Sequence, residues 1–131
     1  MAAKSKGIQV FAHIILGLPG ETGDHMRQTA ERIAKLPLDG VKIHLQYVVK
    51  GTVLAKWFKA GQYTCLTLED YARLVCDVLR RLPGHWVIQR LTGTPHAHEL
   101  IAPTYALDRN HVHKAIMAEM EAKNAFQGDL A

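Results

Sequence analysis

The sequence predicts an α/β fold, and three observations carry that prediction. An apolar run from Val10 to Leu16, rich in β-branched residues, breaks abruptly into Gly17, Pro19, Gly20 and Glu21, as a buried strand does where it opens onto a loop. The period then changes to a helical one and back to strict alternation, giving strand, helix, strand with a crossover long enough for parallel pairing. A second helix-to-strand succession follows in the next 40 or so residues.

The opening strand spans roughly residues 8 to 17, and its unbroken apolar character suits a strand covered on both faces. Met26, Ala30, Ile33 and Ala34 recur at helical spacing behind it. Thr22 is placed to cap that helix, Asp24 suits the positive end of its dipole and Pro37 stops it, which leaves about three turns. After Asp39-Gly40, residues Val41, Ile43, Leu45, Tyr47 and Val49 alternate with more polar neighbours, the signature of a strand over 41–49. Lys50-Gly51-Thr52 marks a turn, and Leu54, Trp57 and Phe58 give a short helix closed by Gly61.

Thr67-Leu68-Glu69-Asp70 matches a capping-box pattern ahead of one apolar stripe: Tyr71, Leu74, Val75, Val78, Leu79 and Leu82. Pro83-Gly84 ends it. Trp86 to Leu91 reads as a third strand running into Thr92-Gly93-Thr94-Pro95. Residues 95 to 107 read as an irregular loop. A last helix begins near Asp108, a plausible N-cap, and runs through Val112, Ala115, Ile116 and Met120. Asn124 to Ala131 read as a frayed end, and the polar start, residues 1 to 7, as either the tail of a preceding helix or a remnant of cloning, too short a stretch to decide between the two.

Composition narrows the function. The chain has 131 residues, 48% of them hydrophobic, with mean hydropathy near zero, which fits one soluble domain able to bury a core. No apolar run approaches the roughly 20 residues of a membrane span, and the start lacks a signal-peptide core, so no membrane partner and a cytoplasmic location are expected. Sixteen Lys plus Arg against twelve acidic residues give +4. That excess favours anionic ligands only mildly and shows no basic cluster interleaved with aromatics. Cys65 and Cys76 are the only cysteines, with ten residues between them, so they form neither a disulfide framework nor a zinc ribbon.

The chemistry-bearing candidates cluster at strand ends. Gly17-Leu18-Pro19-Gly20-Glu21-Thr22-Gly23 sits where strand meets helix, so its glycines permit close backbone approach and the helix start offers N–H donors. It matches neither phosphate-loop spacing, and a tight βα turn that needs glycine for backbone reasons explains it equally well. His96 and His98 form an HxH pair with Glu99 beside it, but the segment is fenced by Pro95 and Pro103; His111 and His113 diverge on a helix. A built-in metal site is therefore not expected. His44, on the second strand, is a ligand contact or a histidine satisfied in the sheet, and Arg90 is a counter-charge for a carboxylate or phosphate at the strand ends or a surface ion pair.

Together, His13 to Thr22 (HIILGLPGET), Val41 to Leu45 (VKIHL), Gly51 to Ala55 (GTVLA) and Arg90 to Gly93 (RLTG) resemble the radical S-adenosylmethionine (SAM) enzymes, in particular iron-sulfur oxidoreductase-like proteins related to the Elongator-type group. The resemblance covers most of the chain. It implies a partial (β/α) barrel, of the TIM-barrel kind, in which a [4Fe-4S] cluster cleaves SAM to a 5′-deoxyadenosyl radical. On this likeness residues 1–131 are the C-terminal portion of the barrel, with a terminal loop and helix from about 95, and the strands through Ile15 and His44 are its fifth and sixth.

The likeness also implies cofactor-binding roles for Ile15, Gly17, Gly20, Glu21 and His44, a substrate contact for Arg90, and no catalytic residue in the chain itself. Where the broader family often has glycine, this sequence has His13. Two cysteines cannot hold a four-cysteine cluster, so SAM and [4Fe-4S] are expected in a longer parent, with neither bound by this stretch alone, which would be inactive by itself. The missing N-terminal half of the barrel is then its first partner, and its uncovered sheet edge invites pairing between copies. RNA or a small molecule would be the parent's substrate. The alternative is a stand-alone nucleotide- or RNA-binding module without catalysis.

Overall fold

The computed structural model describes residues 6–131; the polar start, read as a helical tail or a cloning remnant, falls largely on residues 1–5, outside that range. Three parallel strands form the main sheet in the order β1 (Phe11–Leu16), β2 (Gly40–Leu45), β4 (Val87–Arg90). Phe11 to Leu16 pair residue for residue with Gly40 to Leu45. β4 pairs Val87 with Gly40 and Ile88 with Val41, then shifts by one so that Arg90 stands opposite Lys42. The extra residue is Gln89, a local bulge that increases twist at the end of the strand.

Helices cover one face of this sheet. α1 (Gly23–Ile33), α3 (Leu68–Arg81) and α4 (Arg109–Ala122) pack in that lateral order over Ile14, Leu16, Val41, Ile43 and Leu45, and the core between them includes Met26, Tyr71, Val75, Val78, Val112 and Ile116. The alternating side chains of β1 show which face is covered: Ile14 is 6% exposed and its neighbour Ile15 is 42% exposed. The expected strand buried on both faces is thus corrected. Within the described residues one face of β1 is covered and the other, carrying His13 and Ile15, is open.

The alternation expected over 41–49 also splits. The Gln46 amide donates to the Leu16 carbonyl at 2.9 Å, extending the β1–β2 ladder by one bond, and beyond it Val48–Val49 forms β3, which pairs antiparallel with β5 (Leu100–Ala102). The irregular loop expected over 95–107 therefore contains a strand and a 3₁₀ turn, Thr104–Leu107. With α2 (Val53–Lys59) these strands enclose a small second core of Val48, Ala55, Tyr63 and Ala102.

Helix starts follow the sequence closely. Thr22, Thr52, Thr67 and Asp108 each accept a hydrogen bond from the amide three residues on, which satisfies one of the free donors at a helix start. The frayed end expected from Asn124 does not occur. The Gly128 and Leu130 amides donate to the Leu79 and Arg80 carbonyls at 3.1 and 2.8 Å, Arg80 pairs with Asp129 at 2.8 Å, and Gln127 donates to the Pro83 and Trp86 carbonyls. The tail thereby caps the C-terminus of α3.

Candidate functional site

The loop after β1 is a tight turn built by its own sequence. The Glu21 amide donates to the Leu18 carbonyl at 3.1 Å, with Pro19 and Gly20 at the corners and Gly20 at φ +78°; a positive φ there is what a type II turn requires. Gly17, at φ +92°, has the Leu66 side chain only 3.3 Å from where a β-carbon would stand. Its carbonyl accepts a hydrogen bond from the buried Tyr63 hydroxyl, whose pKa burial pushes up to about 12. The loop is thus fastened from the far side by the segment after α2.

The helix start behind this loop is largely self-satisfied. Thr22 and His25 form a reciprocal capping box: the His25 amide donates to Thr22 Oγ1, and the Thr22 amide donates to His25 Nδ1. Asp24 lies in the first turn, its pKa lowered by the hydrogen bond and charge of Arg27. An acidic group and a side-chain cap occupy the place where a phosphate would sit in a helix-start anion site. What the loop leaves open is a pair of hollows on either side. One, of about 240 Å3, lies along β1 and α1 between His13, Ile15, Leu18, Glu21 and Thr29; the other is lined by Gly17, Pro19, Gly20, Glu21 and Tyr63. Glu21, exposed, borders both.

The register then brings the strand candidates together. Ile15 stands opposite His44, and His13 opposite Lys42, which in turn stands opposite Arg90. Side chains in register on neighbouring parallel strands share a face, so His13, Ile15, Lys42, His44 and Arg90 form one group on the open side of the sheet. The His13 and His44 rings lie 5.7 Å apart between centroids. His44 has its pKa lowered, first by burial and then by the positive neighbours His13, Arg90 and Lys42.

Ile15 and Glu21 border one hollow and Gly17, Gly20 and Glu21 the other, with His44 opposite Ile15 on the neighbouring strand and Arg90 one strand over. Sequence reasoning missed Lys42, Tyr47 and Thr92. Lys42 shares strand parity with His44, a signal present in the alternation itself. Tyr47 and Thr92 come together only through the fold. Gly93 approaches them so closely that a β-carbon on it would lie 2.7 Å from the Tyr47 hydroxyl and 3.4 Å from His44 Nδ1.

The metal candidates stay apart. His96 and His98 lie 5.9 Å apart as exposed rings on a turn, and among the described residues no group of three or more His, Cys, Asp or Glu side chains is placed to hold an ion. Cys65 lies in the second core and Cys76 is buried on α3. Burial raises both thiol pKa values, the opposite of what a thiolate ligand needs. The donor set of this chain does not fit an iron-sulfur cluster.

Comparison with known proteins accounts for this arrangement. The model of the Radical_SAM C-terminal domain matches residues 38–122. The chain belongs to that family. The radical SAM C-terminal domain match begins one residue before Asp39 and so takes in β2 onward, with β1 and its loop lying N-terminal to it. Similar proteins include the uncharacterized protein YtqA of Bacillus subtilis, 38% identical over 95% of this chain and 39% of that protein. Protein YhcC of Escherichia coli is 34% identical over 82% of this chain and 35% of its own length, and the uncharacterized protein MJ0486 of Methanocaldococcus jannaschii 35% identical over 94% and 38%.

The chain spans under two fifths of the length of these relatives. In three dimensions it superposes on the archaeal Elp3 of Methanocaldococcus infernus with a TM-score of 0.71, covering 95% of this chain and 29% of that one at 20% identity, which shows the fold. Among the described residues no helix is long and apolar enough to cross a membrane.

Proposed function

We propose that this radical SAM C-terminal domain, with β1 ahead of it, completes the barrel of a SAM-cleaving iron-sulfur enzyme and supplies one wall of its SAM pocket. The observation that carries this reading is the open face of β1. Ile15 is exposed on a strand whose neighbouring side chains are buried, and it leads directly into the Gly17–Glu21 turn. An exposed branched side chain in line with a hollow bordered by backbone and one carboxylate suits a purine nucleoside, with Ile15 against the ring and Glu21 within reach of polar groups.

The free edge of β1 supports a second half of the barrel as partner. The Val10 and Leu16 carbonyls face β2, accepting from the Asp39 and Gln46 amides. By the two-residue period of a strand, the backbone groups of Phe11, His13 and Ile15 point the other way. Among the described residues they form an unpaired strand edge beside an apolar hollow, and a preceding parallel strand would satisfy both. The cluster that supplies the radical chemistry would be held by cysteines of that half, and no step of it is assigned to residues here.

The test is a longer protein carrying this chain together with its upstream strands, reconstituted anaerobically with iron and sulfide and then reduced. Iron-sulfur absorbance and release of 5′-deoxyadenosine from SAM are expected. A colourless protein that leaves SAM intact would overturn the reading.

A further inference from the structure

The open face carries two cations, Lys42 and Arg90, that a SAM wall alone would not call for. His13, Lys42, His44 and Arg90 lie on it, and none of its other register positions, Phe11, Ile15, Gly40 and Val87, is acidic. Arg27, Arg73, Arg80, Arg81 and Lys123 each have a carboxylate partner. Among the described residues, Lys42 is the one lysine or arginine that lacks such a partner and is not exposed; the remaining unpaired cations, Arg90 included, are exposed. A half-buried lysine without a carboxylate partner is free to meet a counter-charge brought by a ligand.

Two buried hydroxyls lie next to these charges. Thr92 is 2% exposed, and at strict hydrogen-bond geometry neither its hydroxyl nor that of Tyr47 has a partner, although the two lie close enough to interact with each other and Tyr47 with the Gly93 backbone. The two hydroxyls are near enough to influence each other's surroundings, and Arg90 acts electrostatically on both Tyr47 and His44. Gly93 keeps the space between Tyr47 and His44 free of a side chain. Arg90 ends β4, Tyr47 and Thr92 follow the ends of β2 and β4, and Lys42 stands opposite Arg90 midway along β2, so two cations and two buried hydroxyls supply the chemistry of an oxyanion site.

We propose that Lys42 and Arg90, with the Tyr47 and Thr92 hydroxyls, bind a phosphate or carboxylate group of the second substrate, the molecule that lies beside SAM. This rests on the proposed function for its position in the barrel, and it adds the chemical class of the substrate.

The experiment is calorimetric titration of the intact protein with inorganic phosphate and separately with acetate, at low salt and without reduction, so that it does not depend on SAM cleavage. Saturable binding of at least one anion is expected. It should weaken about tenfold or more in Lys42→Gln and in Arg90→Gln, and stay within about twofold in Lys56→Gln, an exposed lysine on α2. Lys42→Arg keeps the charge should the glutamine variant fail to fold, and retains binding. A histidine ring resonance that titrates at higher pH when phosphate is bound, and that is absent in His44→Gln, is the accompanying spectroscopic signature. Equal affinity in wild type, Lys42→Gln and Arg90→Gln overturns the proposal. So does displacement of phosphate by SAM, which would make the site that of the SAM carboxylate. Loss of SAM cleavage with anion binding intact would instead overturn only the proposed function.

Discussion

A β-carbon on Gly40 would collide with the ring of Phe11, 2.7 Å away, and with the carbonyl of Val87. Gly40 is the first residue of β2, so this contact sets the spacing of all three parallel strands at their entry. Gly40→Ala forces apart β1 or β4, and one of the two obstacles is backbone that cannot rotate aside. A loss of about 1–3 kcal/mol is expected, as for other overpacked sites, read as a lower urea midpoint with the slope unchanged.

Ile43 and Ile15 separate stability from binding. Ile43 is fully buried under the helices and Ile15 is 42% exposed on the open face. Ile43→Ala is expected to cost about 2–5 kcal/mol. Ile15→Ala should shift stability by no more than about 0.5 kcal/mol and, on the proposed function, weaken SAM binding by the longer protein roughly fivefold, the equivalent of about 1 kcal/mol of apolar contact. Equilibrium denaturation and SAM titration on the same two variants check both halves.

The paired isoleucines also show what could be read from the sequence. The helix caps at Thr22, Thr67 and Asp108 and the parallel β1–α1–β2 unit follow from spacing, because each depends on residues a few positions apart, whereas Thr52 reads as part of a turn and caps α2 in the structure. The break after Leu45 does not. Tyr47 and Val49 keep the strand alternation, and only the absence of a continuing neighbour beside β1 sends Val48–Val49 to pair with Leu100–Ala102. The three residues of β5 are too few to display a period. The tail looked frayed because its partners, Leu79, Arg80, Pro83 and Trp86, lie more than 40 positions away. The site was legible where one strand carries it, at Ile15 to Glu21, and hidden where Tyr47, Thr92 and Gly93 meet across strand ends.

Tyr63 fastens the loop that borders both hollows. Its hydroxyl donates to the buried Gly17 carbonyl, and Tyr63→Phe leaves that acceptor without its partner. A loss of about 1–2 kcal/mol is expected, together with faster amide exchange at Glu21, whose hydrogen bond to Leu18 closes the same turn. Hydrogen exchange confined to residues 17–23 would locate the effect, and unchanged exchange there would show that the turn is held by Gly20 and Pro19 alone.

His44 gives the fold a pH dependence whose sign is set by its surroundings. Burial and the nearby His13, Arg90 and Lys42 lower its pKa below the usual 6.5, so the unfolded chain takes up this proton before the folded one does. The neutral ring's contribution to stability is therefore complete above about pH 6.5, and it is lost as pH falls from there through the lower folded-state pKa. Unfolding free energy measured from pH 7.5 downward should decline across that window, and less steeply in His44→Gln. An oxyanion bound at Lys42 and Arg90 offsets the same positive neighbours and brings the folded-state pKa back toward 6.5, so added phosphate should shrink the decline in the wild type and leave that of Lys42→Gln unchanged.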